Sequence, residues 1–336
     1  MHKHTKSTLK ISILIPTFDR PHYLPDAVES CLQQNYEDIE ILIGDDSPGQ
    51  QTQDVVQTCF KAVLGKKVFY FKNPRSLGQA ENVHSLMMSA TGDTIMVLHD
   101  DDYLLPEALN DLRGILEKSP EVIAVFGMYL YINSKKEILE YETERRNKLF
   151  YKTEEFQGTK LSPQLSALLQ QFTGEGFLVR AEYAKKTGYD YAGAAGDACD
   201  FYFGWKLSQF NKPFYFLHRY ISAVRIGIDS CSTGRGSRAG LGNSGFYWIK
   251  IIHDEVPSEL LHEPRFLQAV KQKIAGAVSG AARIGHLGQA WKFLFSKKLL
   301  KAWRPLAFMK TFFVLIYISS CKFVQNLMPF KVNKKT

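Results

Sequence analysis

Residues Thr94 to Pro106, TIMVLHDDDYLLP, constrain this chain more than any other stretch. Ile95, Met96, Val97 and Leu98 form a short all-apolar run, the pattern of a strand buried on both faces of a parallel sheet. The run passes directly into His99, Asp100, Asp101 and Asp102. Adjacent carboxylates at the mouth of a buried strand repel one another, and more so as water is withdrawn, so they call for a cation. Hard divalent ions such as Mg²⁺ and Mn²⁺ take oxygen ligands and are commonly held by one or two carboxylates plus substrate phosphates. Open α/β sheets bind their ligands at strand carboxyl ends. The stretch therefore reads as the metal and diphosphate station of a nucleotide-using enzyme. Capping of the helix that Pro106 begins accounts for Asp102, but not for three carboxylates in a row.

The flanking sequence alternates strand and helix patterns. Lys10–Pro16 (KISILIP), Ile39–Gly44, Lys67–Phe71 and Val122–Phe126 are β-rich apolar runs. Between them, Leu24, Ala27, Val28, Cys31 and Leu32 keep helical spacing, and Gln53–Ala62, Gln79–Ala90 and Pro106–Lys118 read as helices. This βαβαβαβαβ order predicts a doubly wound α/β sheet. The turn after the first strand, PTFDRP, has no glycine, which excludes a Rossmann dinucleotide site. Met128–Ile132 and Glu137–Tyr141 flank Asn133–Lys136 as a hairpin, and Glu142–Lys160 is charged enough to read as a mobile loop. Leu161–Phe172 is a helix, Gly176–Arg180 a strand, Ala198–Phe210 an aromatic-rich helix and Phe214–Val224 a strand. Ser232–Gly245 holds five glycines with Arg235 and Arg238, the composition of a flexible loop that closes over a substrate or of a plain linker.

Charge is distributed unevenly. Pro264–Thr336 contains no Asp or Glu but 14 of the chain's 42 Lys and Arg, leaving 28 basic against 34 acidic residues before it. The tail thus points to an anionic surface rather than to nucleic acid bound by the catalytic half. Five widely spaced cysteines without a CxxC pair fit reduced thiols in a cytoplasmic protein, and MHKHTKSTLK carries no signal-peptide core.

Taken together, ISILIPTFDRP, EILIGDDSPG, NPRSLGQAEN, SATGDTIMVLHDDDYLLPEAL, GFLVR with KKTGYD, and ACDFYFGWKL resemble, in order, the motifs of family-2 inverting glycosyltransferases of the GT-A fold, of the bacterial surface-polysaccharide type. The resemblance spans about residues 10 to 225. It implies a GT-A catalytic domain over 10–228, to which composition adds a glycine-rich loop over 229–245 and a basic helical region over 246–330. The resemblance also implies a nucleotide-diphosphate sugar donor and a Mn²⁺ or Mg²⁺ cofactor. Residue by residue, Pro16, Thr17 and Asp19 match the first nucleotide-binding loop, Asp46 the aspartate that accepts from a pyrimidine base, and Arg75 a nucleotide-contacting arginine. Asp100 matches a ribose or metal-region aspartate, and Asp101 the metal ligand, with Asp102 beside it as a further candidate. His99 stands where many members carry the first aspartate of Asp-x-Asp-Asp, and reads as a buried, hydrogen-bonded histidine.

Aligning Lys206-Leu207 with the family's helix ending makes Asp200 the general base, with Asp197 the alternative. The implied reaction is a single inverting displacement onto an acceptor hydroxyl, of a glycan or a lipid-linked oligosaccharide. A silent GT-A-like binding protein would not need Asp46, Asp100, Asp101 and Asp200 intact. A sugar-1-phosphate nucleotidyltransferase would carry a glycine-rich, basic first loop, which PTFDRP lacks. In the tail, Phe266, Leu267, Val270, Ile274, Ala277, Val278, Ala281 and Ile284 keep helical spacing. LAFMKTFFVLIYISSCKFVQNLMPF reaches spanning length only by including lysines, so it reads as a helix lying on an anionic membrane surface at the cytoplasmic face, or covering an apolar face of the catalytic domain or of a dimer partner.

Overall fold

The computed structural model describes residues 9–172, 174–189, 193, 195–227 and 237–327. Two compact units emerge: Met1–Ala194 with Cys199–Arg235, and Ala195–Ala198 with Gly236–Thr336.

The first unit begins with β1 (Ile11–Thr17), α1 (Leu24–Leu32), β2 (Ile39–Asp45), α2 (Gln51–Cys59), β3 (Val68–Lys72), α3 (Gln79–Ser89) and β4 (Thr94–Val97). Every residue of β1, β2 and β4 is buried, as continuous apolar runs require when helices cover both faces. β5 (Tyr103–Leu104), α4 (Ala108–Lys118), β6 (Ala124–Ile132), α5 (Glu140–Leu149), α6 (Pro163–Leu168), β7 (Phe177–Arg180), α7 (Ala181–Thr187), α8 (Cys199–Ser208) and β8 (Phe214–Arg225) follow. The sheet order is β3-β2-β1-β4-β7-β6-β8-β5. β3, β2, β1 and β4 run parallel, β7 is antiparallel to β4 and β6, and β6 is parallel to β8. The chain winds outward from β1 through β2 to β3, then returns to place β4 on the other side of β1. That reversal opens a crevice at the carboxyl ends of β1 and β4.

Alternate strand residues feed two cores. Ile11, Ile13 and Ile15 pack with Val28 of α1 and Leu109, Leu112 and Leu116 of α4 on one face. Leu14, Ile95 and Val97 pack with Val83 and Leu86 of α3 and Phe203 of α8 on the other. Each such side chain, fully buried, stabilises the fold by about 1.5–3 kcal/mol.

Two segments depart from the sequence reading. Residues 142–149, expected in a mobile loop, belong to α5. The reason lies in β6, whose register with β7 ends at Phe126, leaving one edge of Met128–Ile132 without a strand partner. Asn147 and Thr143, four residues apart and so on one helix face, fill that edge. Asn147 Oδ1 accepts from Tyr129 N at 3.2 Å, its Nδ2 donates to Tyr129 O at 2.7 Å, and Thr143 Oγ1 accepts from Tyr131 N at 2.9 Å. Glu137–Tyr141 is likewise not a full hairpin strand: only Ile138 bridges back to Ile132 before the helix begins.

The second unit contains α9 (Ser237–Asp254), α10 (Pro264–Arg283), α11 (Leu287–Leu294) and α12 (Pro305–Leu327). α10 buries Phe266, Val270, Ile274, Ala277, Val278 and Ala281, as the spacing predicts, and Glu263 caps it by accepting from Phe266 N at 3.0 Å. Of the glycine-rich segment, residues 228–236 lie outside the described residues, whereas Ser237 onward is helical. Gly245 serves contact there: a Cβ would stand 3.2 Å from the Ala277 backbone, so its absence lets α9 approach α10. Among the described residues, Cys31, Cys59, Cys199 and Cys321 form no disulfide.

Candidate active site

The crevice at the ends of β1 and β4 is where the carboxylates collect. β1 delivers Thr17, whose Oγ1 donates to Asp100 Oδ2 at 2.7 Å. Pro16 is buried beside Gly44 of β2, and Asp19 is exposed with a φ of 54°, a left-handed turn that Asp tolerates better than most residues. Ser47 Oγ holds that turn by accepting from Asp19 N at 2.8 Å. The turn delivers Arg20, whose guanidinium lies 2.5 Å from Asp100 Oδ1 and 2.6 Å from Asp101 Oδ2. One arginine thus bridges two neighbouring, buried carboxylates. Burial still pushes the Asp100 carboxyl up to about 6, against the pull of Arg20 and with the charge of Asp101 adding to it. Burial, followed by the charge of Asp102, raises Asp101 as well.

β7 runs antiparallel beside β4, so the residue preceding it arrives at the same end of the sheet. Gly176 N donates to Val97 O at 3.0 Å, which sets Glu175 beside His99. Glu175 is buried; its Oε2 accepts from His99 N at 3.0 Å and its Oε1 from Ser222 Oγ at 3.2 Å. Burial, then the charge of Asp102, pushes the Glu175 carboxyl far above its ordinary range. The His99 ring Nδ1 lies 3.5 Å from Asp102 Oδ2 and 3.7 Å from Glu175 Oε2. Burial opposes charge on this imidazole, but Asp102 and Glu175 together outweigh it and hold its pKa well above normal. Asp102 Oδ1 accepts from Arg225 N at 2.6 Å, tying the cluster to the end of β8.

His99, Asp101 and Asp102 each offer a ligand atom within 4.8 Å of the others. Ligands on opposite sides of an octahedral Mg²⁺ or similar ion stand about 4.2 Å apart, so the spread is close to that of a coordination sphere. His99 Nε2 is buried without a hydrogen-bond partner, an orphan that coordination would satisfy. The two carboxylates supply the oxygen ligands that Mn²⁺ and Mg²⁺ take, and the imidazole is the softer ligand of the set.

The other sequence-derived candidates occupy different settings. Asp46, at the end of β2, accepts from Asn73 Nδ2 at 2.8 Å, Ser76 Oγ at 3.0 Å, Leu77 N at 2.9 Å and Gly78 N at 2.7 Å. Its carboxylate therefore organises the 73–78 loop. Arg75, on that loop, is three-quarters exposed and 3.8 Å from Glu81. Asp200 is half-buried in the first turn of α8, where the hydroxyl of the buried Tyr189 donates to its Oδ1. The charge of Asp200 is felt at His99 and at Tyr129. Asp197 is exposed in the 3₁₀ turn Gly196–Ala198, which belongs to the second unit, and its carbonyl accepts from Ser244 Oγ at 3.3 Å.

The model of glycosyl transferase family 2 matches residues 12–187, more than half of the 336-residue chain. The chain belongs to glycosyltransferase family 2. Among curated family relatives, it is 35% identical over 119 residues to the GalNAc(5)-diNAcBac-PP-undecaprenol beta-1,3-glucosyltransferase of Campylobacter jejuni, covering 35% of this chain and 37% of that protein. It is 24% identical over 149 residues to an uncharacterised glycosyltransferase of Methanocaldococcus jannaschii, covering 42% and 51%. The matches thus span about a third to a half of those relatives' lengths. The fold is shared with S. aureus TarS 1–349 in complex with UDP-GlcNAc (TM-score 0.57, 13% identity, 92% of this chain and 81% of that one). It is shared too with the mannosyltransferase PcManGT of Pyrobaculum calidifontis in complex with GDP-Man and Mn²⁺ (TM-score 0.55, 14% identity, 96% and 88%). The architecture is that of a GT-A glycosyltransferase.

In this glycosyltransferase, Arg20, Glu175, Tyr189 and Arg225 join the candidate site without having stood out in the sequence. Arg20 was visible inside PTFDRP as the nearest cation to the first strand's end. Glu175 and Arg225 acquire meaning only from strand order, which brings the start of β7 and the end of β8 to the aspartates.

Proposed function

We propose that this glycosyltransferase moves a sugar from a nucleotide-diphosphate donor to an acceptor hydroxyl with inversion, in a reaction that depends on a divalent metal. The observation that carries the reading is the meeting of His99, Asp101 and Asp102 at the mouth of β4. Asp101 and Asp102, with His99, would hold Mn²⁺ or Mg²⁺. When bound, the ion supplies electrostatic and Lewis-acid stabilisation of the leaving diphosphate. Pro16, Thr17 and Asp19 are assigned to the nucleotide side of the crevice with Asp100. Asp46 and Arg75 serve that side through the 73–78 loop, which Asp46 shapes and Arg75 occupies.

The acceptor oxygen attacks the anomeric carbon from the face opposite the diphosphate. The C–O bond to the diphosphate breaks with its electron pair, and the hydroxyl proton passes to Asp200. Such general-base help is worth roughly 10²–10⁴-fold. Asp200 is preferred to Asp197 because it is half-buried, held by Tyr189 and electrostatically connected to His99. Tyr189 orients the carboxylate while leaving its second oxygen to take the proton.

The acceptor is assigned as a lipid-linked saccharide at an anionic membrane surface. The C. jejuni relative's name specifies an undecaprenol-linked acceptor. α12 leaves Leu306, Met309, Phe313, Ile316 and Tyr317 exposed in a tail free of acidic residues. No helix among the described residues is long and apolar enough to cross a membrane.

The test is a donor screen over nucleotide sugars with Mn²⁺, with Mg²⁺ and with chelator, the product anomer being read by proton NMR. Inverted product that disappears with chelator is expected, and Asp101→Ala should remove turnover together with the metal enhancement of nucleoside-diphosphate binding. Retained configuration, or equal metal enhancement in Asp101→Ala and parent, overturns the corresponding part.

A further inference from the structure

In the second unit, the 3₁₀ turn Ser258–His262 and the segment after α11 border an open cavity of about 290 Å³. Lys297, Lys298 and Lys301 line it together with Ser258, His262 and the apolar Leu261. Lys298 Nζ donates to the His253 carbonyl at 2.6 Å, and Lys301 Nζ lies 3.2 Å from His262 Nε2. Among the described residues, none of the three lysines forms an ion pair. The neighbouring acid Asp254 is engaged by His253 at 2.6 Å and Lys250 at 3.5 Å. Burial lowers the Lys298 pKa, with the charges of Asp254 and Glu259 working against that.

Three ammonium groups around one concavity repel each other, and a bound anion would add to the relief that Asp254 and Glu259 give Lys298. The volume corresponds to about ten waters at ~30 Å³ each, room for a phosphate or diphosphate. Lysines act on phosphate as point charges, and Ser258 adds a hydroxyl donor. The residues that flank the lysines in the chain indicate what such a phosphate would be attached to. Leu300, between Lys298 and Lys301, is 58% exposed, and so is Phe295, just before the lysines. Phe295 packs against Phe308 of α12 at 6.0 Å between ring centroids, so this apolar surface continues into the exposed residues of that helix. Lysines interspersed in the chain with exposed apolar side chains match a phosphate that carries hydrocarbon.

We propose that this cavity recognises the phosphate of a lipid headgroup, while Phe295, Leu300 and the exposed face of α12 receive its apolar chains. The inference rests on the membrane-surface reading above and adds to it a site with a defined headgroup chemistry.

The test compares the full-length protein on phosphatidylcholine vesicles doped with phosphatidic acid or, at matched surface charge, with phosphatidylserine. The pocket variant is Lys297→Ala/Lys301→Ala, and the charge control is Lys271→Ala/Arg283→Ala on α10. Both targeted pocket lysines are exposed, and melting curves establish that each variant folds. The parent should prefer phosphatidic acid by roughly 10-fold. The pocket variant should lose that preference, and the control should weaken on both vesicles alike while keeping it. Absence of the preference in the parent, or its survival in the pocket variant, overturns the proposal. Pocket-dependent binding of free pyrophosphate, with vesicle binding indifferent to the pocket, overturns the lipid assignment. A parent that ignores every anionic vesicle takes the membrane reading down with it, whereas vesicle binding without pocket dependence removes only this inference.

Discussion

Arg20 does for the aspartates part of what bare sequence left to a metal alone: it offsets some of their charge within the chain. Its fork spans Asp100 and Asp101, and removing one partner of a buried ion pair leaves the other charge uncompensated, typically at about 3–5 kcal/mol. Arg20→Ala should therefore lower the melting temperature in chelator, while added Mn²⁺ should restore more of it than in the parent. Differential scanning calorimetry with and without the ion reads both effects, and an equal metal shift in the two proteins would show that Arg20 and the ion do not share the carboxylates. At Asp200, the Asn substitution keeps the shape and the Tyr189 contact but removes the proton acceptor. Asp200→Asn should lower turnover roughly 10²–10⁴-fold with donor binding nearly unchanged. If Asp197→Asn shows that profile instead, the base belongs to the 3₁₀ turn Gly196–Ala198.

Elements in this protein are joined by buried polar side chains as much as by apolar ones. Glu40 of β2 is an example: it ties β1 and the turn entering β4 into one unit. Its carboxylate accepts from Ser12 Oγ at 2.5 Å, Thr91 N at 2.6 Å and Thr91 Oγ1 at 2.7 Å, and pairs with Lys10 at 2.9 Å. Burial alone would raise its pKa, but these donors together bring it down to about 2. A carboxyl depressed in the folded state contributes stability above its unfolded pKa, near 4.5, and loses it as pH falls toward 2. The parent should accordingly melt at falling temperatures from pH 4.5 to 3. Glu40→Gln should start lower at pH 7 and show a flatter acid limb, as thermal melts across that range would report. Asn82 plays a similar part between α3 and β2, donating Nδ2 to Gly44 O at 2.8 Å. A Cβ at Gly44 would stand 2.1 Å from Asn82 Oδ1, which explains glycine at the end of an otherwise bulky strand.

At the scale of the whole molecule, α12 both packs and protrudes. Leu315 and Thr311 are buried in the second unit, while Leu306 is 69% and Phe313 60% exposed. Deleting the helix would uncover the unit's core, so surface substitutions are the sharper probe. Leu306→Ser/Phe313→Ser/Tyr317→Ser should leave the melting temperature within a few degrees yet reduce flotation with anionic liposomes, since interfacial binding scales with buried apolar area. Unchanged flotation would assign these residues to another partner. Much of this architecture was legible in the chain. Apolar runs of strand length, separated by helix-spaced segments and ending in Thr17, Asp46 and Asp100–Asp102, determined a doubly wound sheet with carboxylates at its functional edge, because backbone pairing and two-sided burial leave such runs few alternatives. The spacing of Phe266, Val270, Ile274 and Val278 determined α10 in the same way. What only the tertiary structure decided is whom each polar residue meets. Asn147 and Thr143 looked solvated until the unpaired edge of β6 gave them partners, and Gly245 looked flexible until α10 came against it. Glu175 comes to His99 because β7 inserts antiparallel between β4 and β6. Periodicity records which face of an element is apolar, whereas hydrogen bonds and ion pairs between residues distant in the chain depend on strand order, and strand order is set by the packed sheet as a whole.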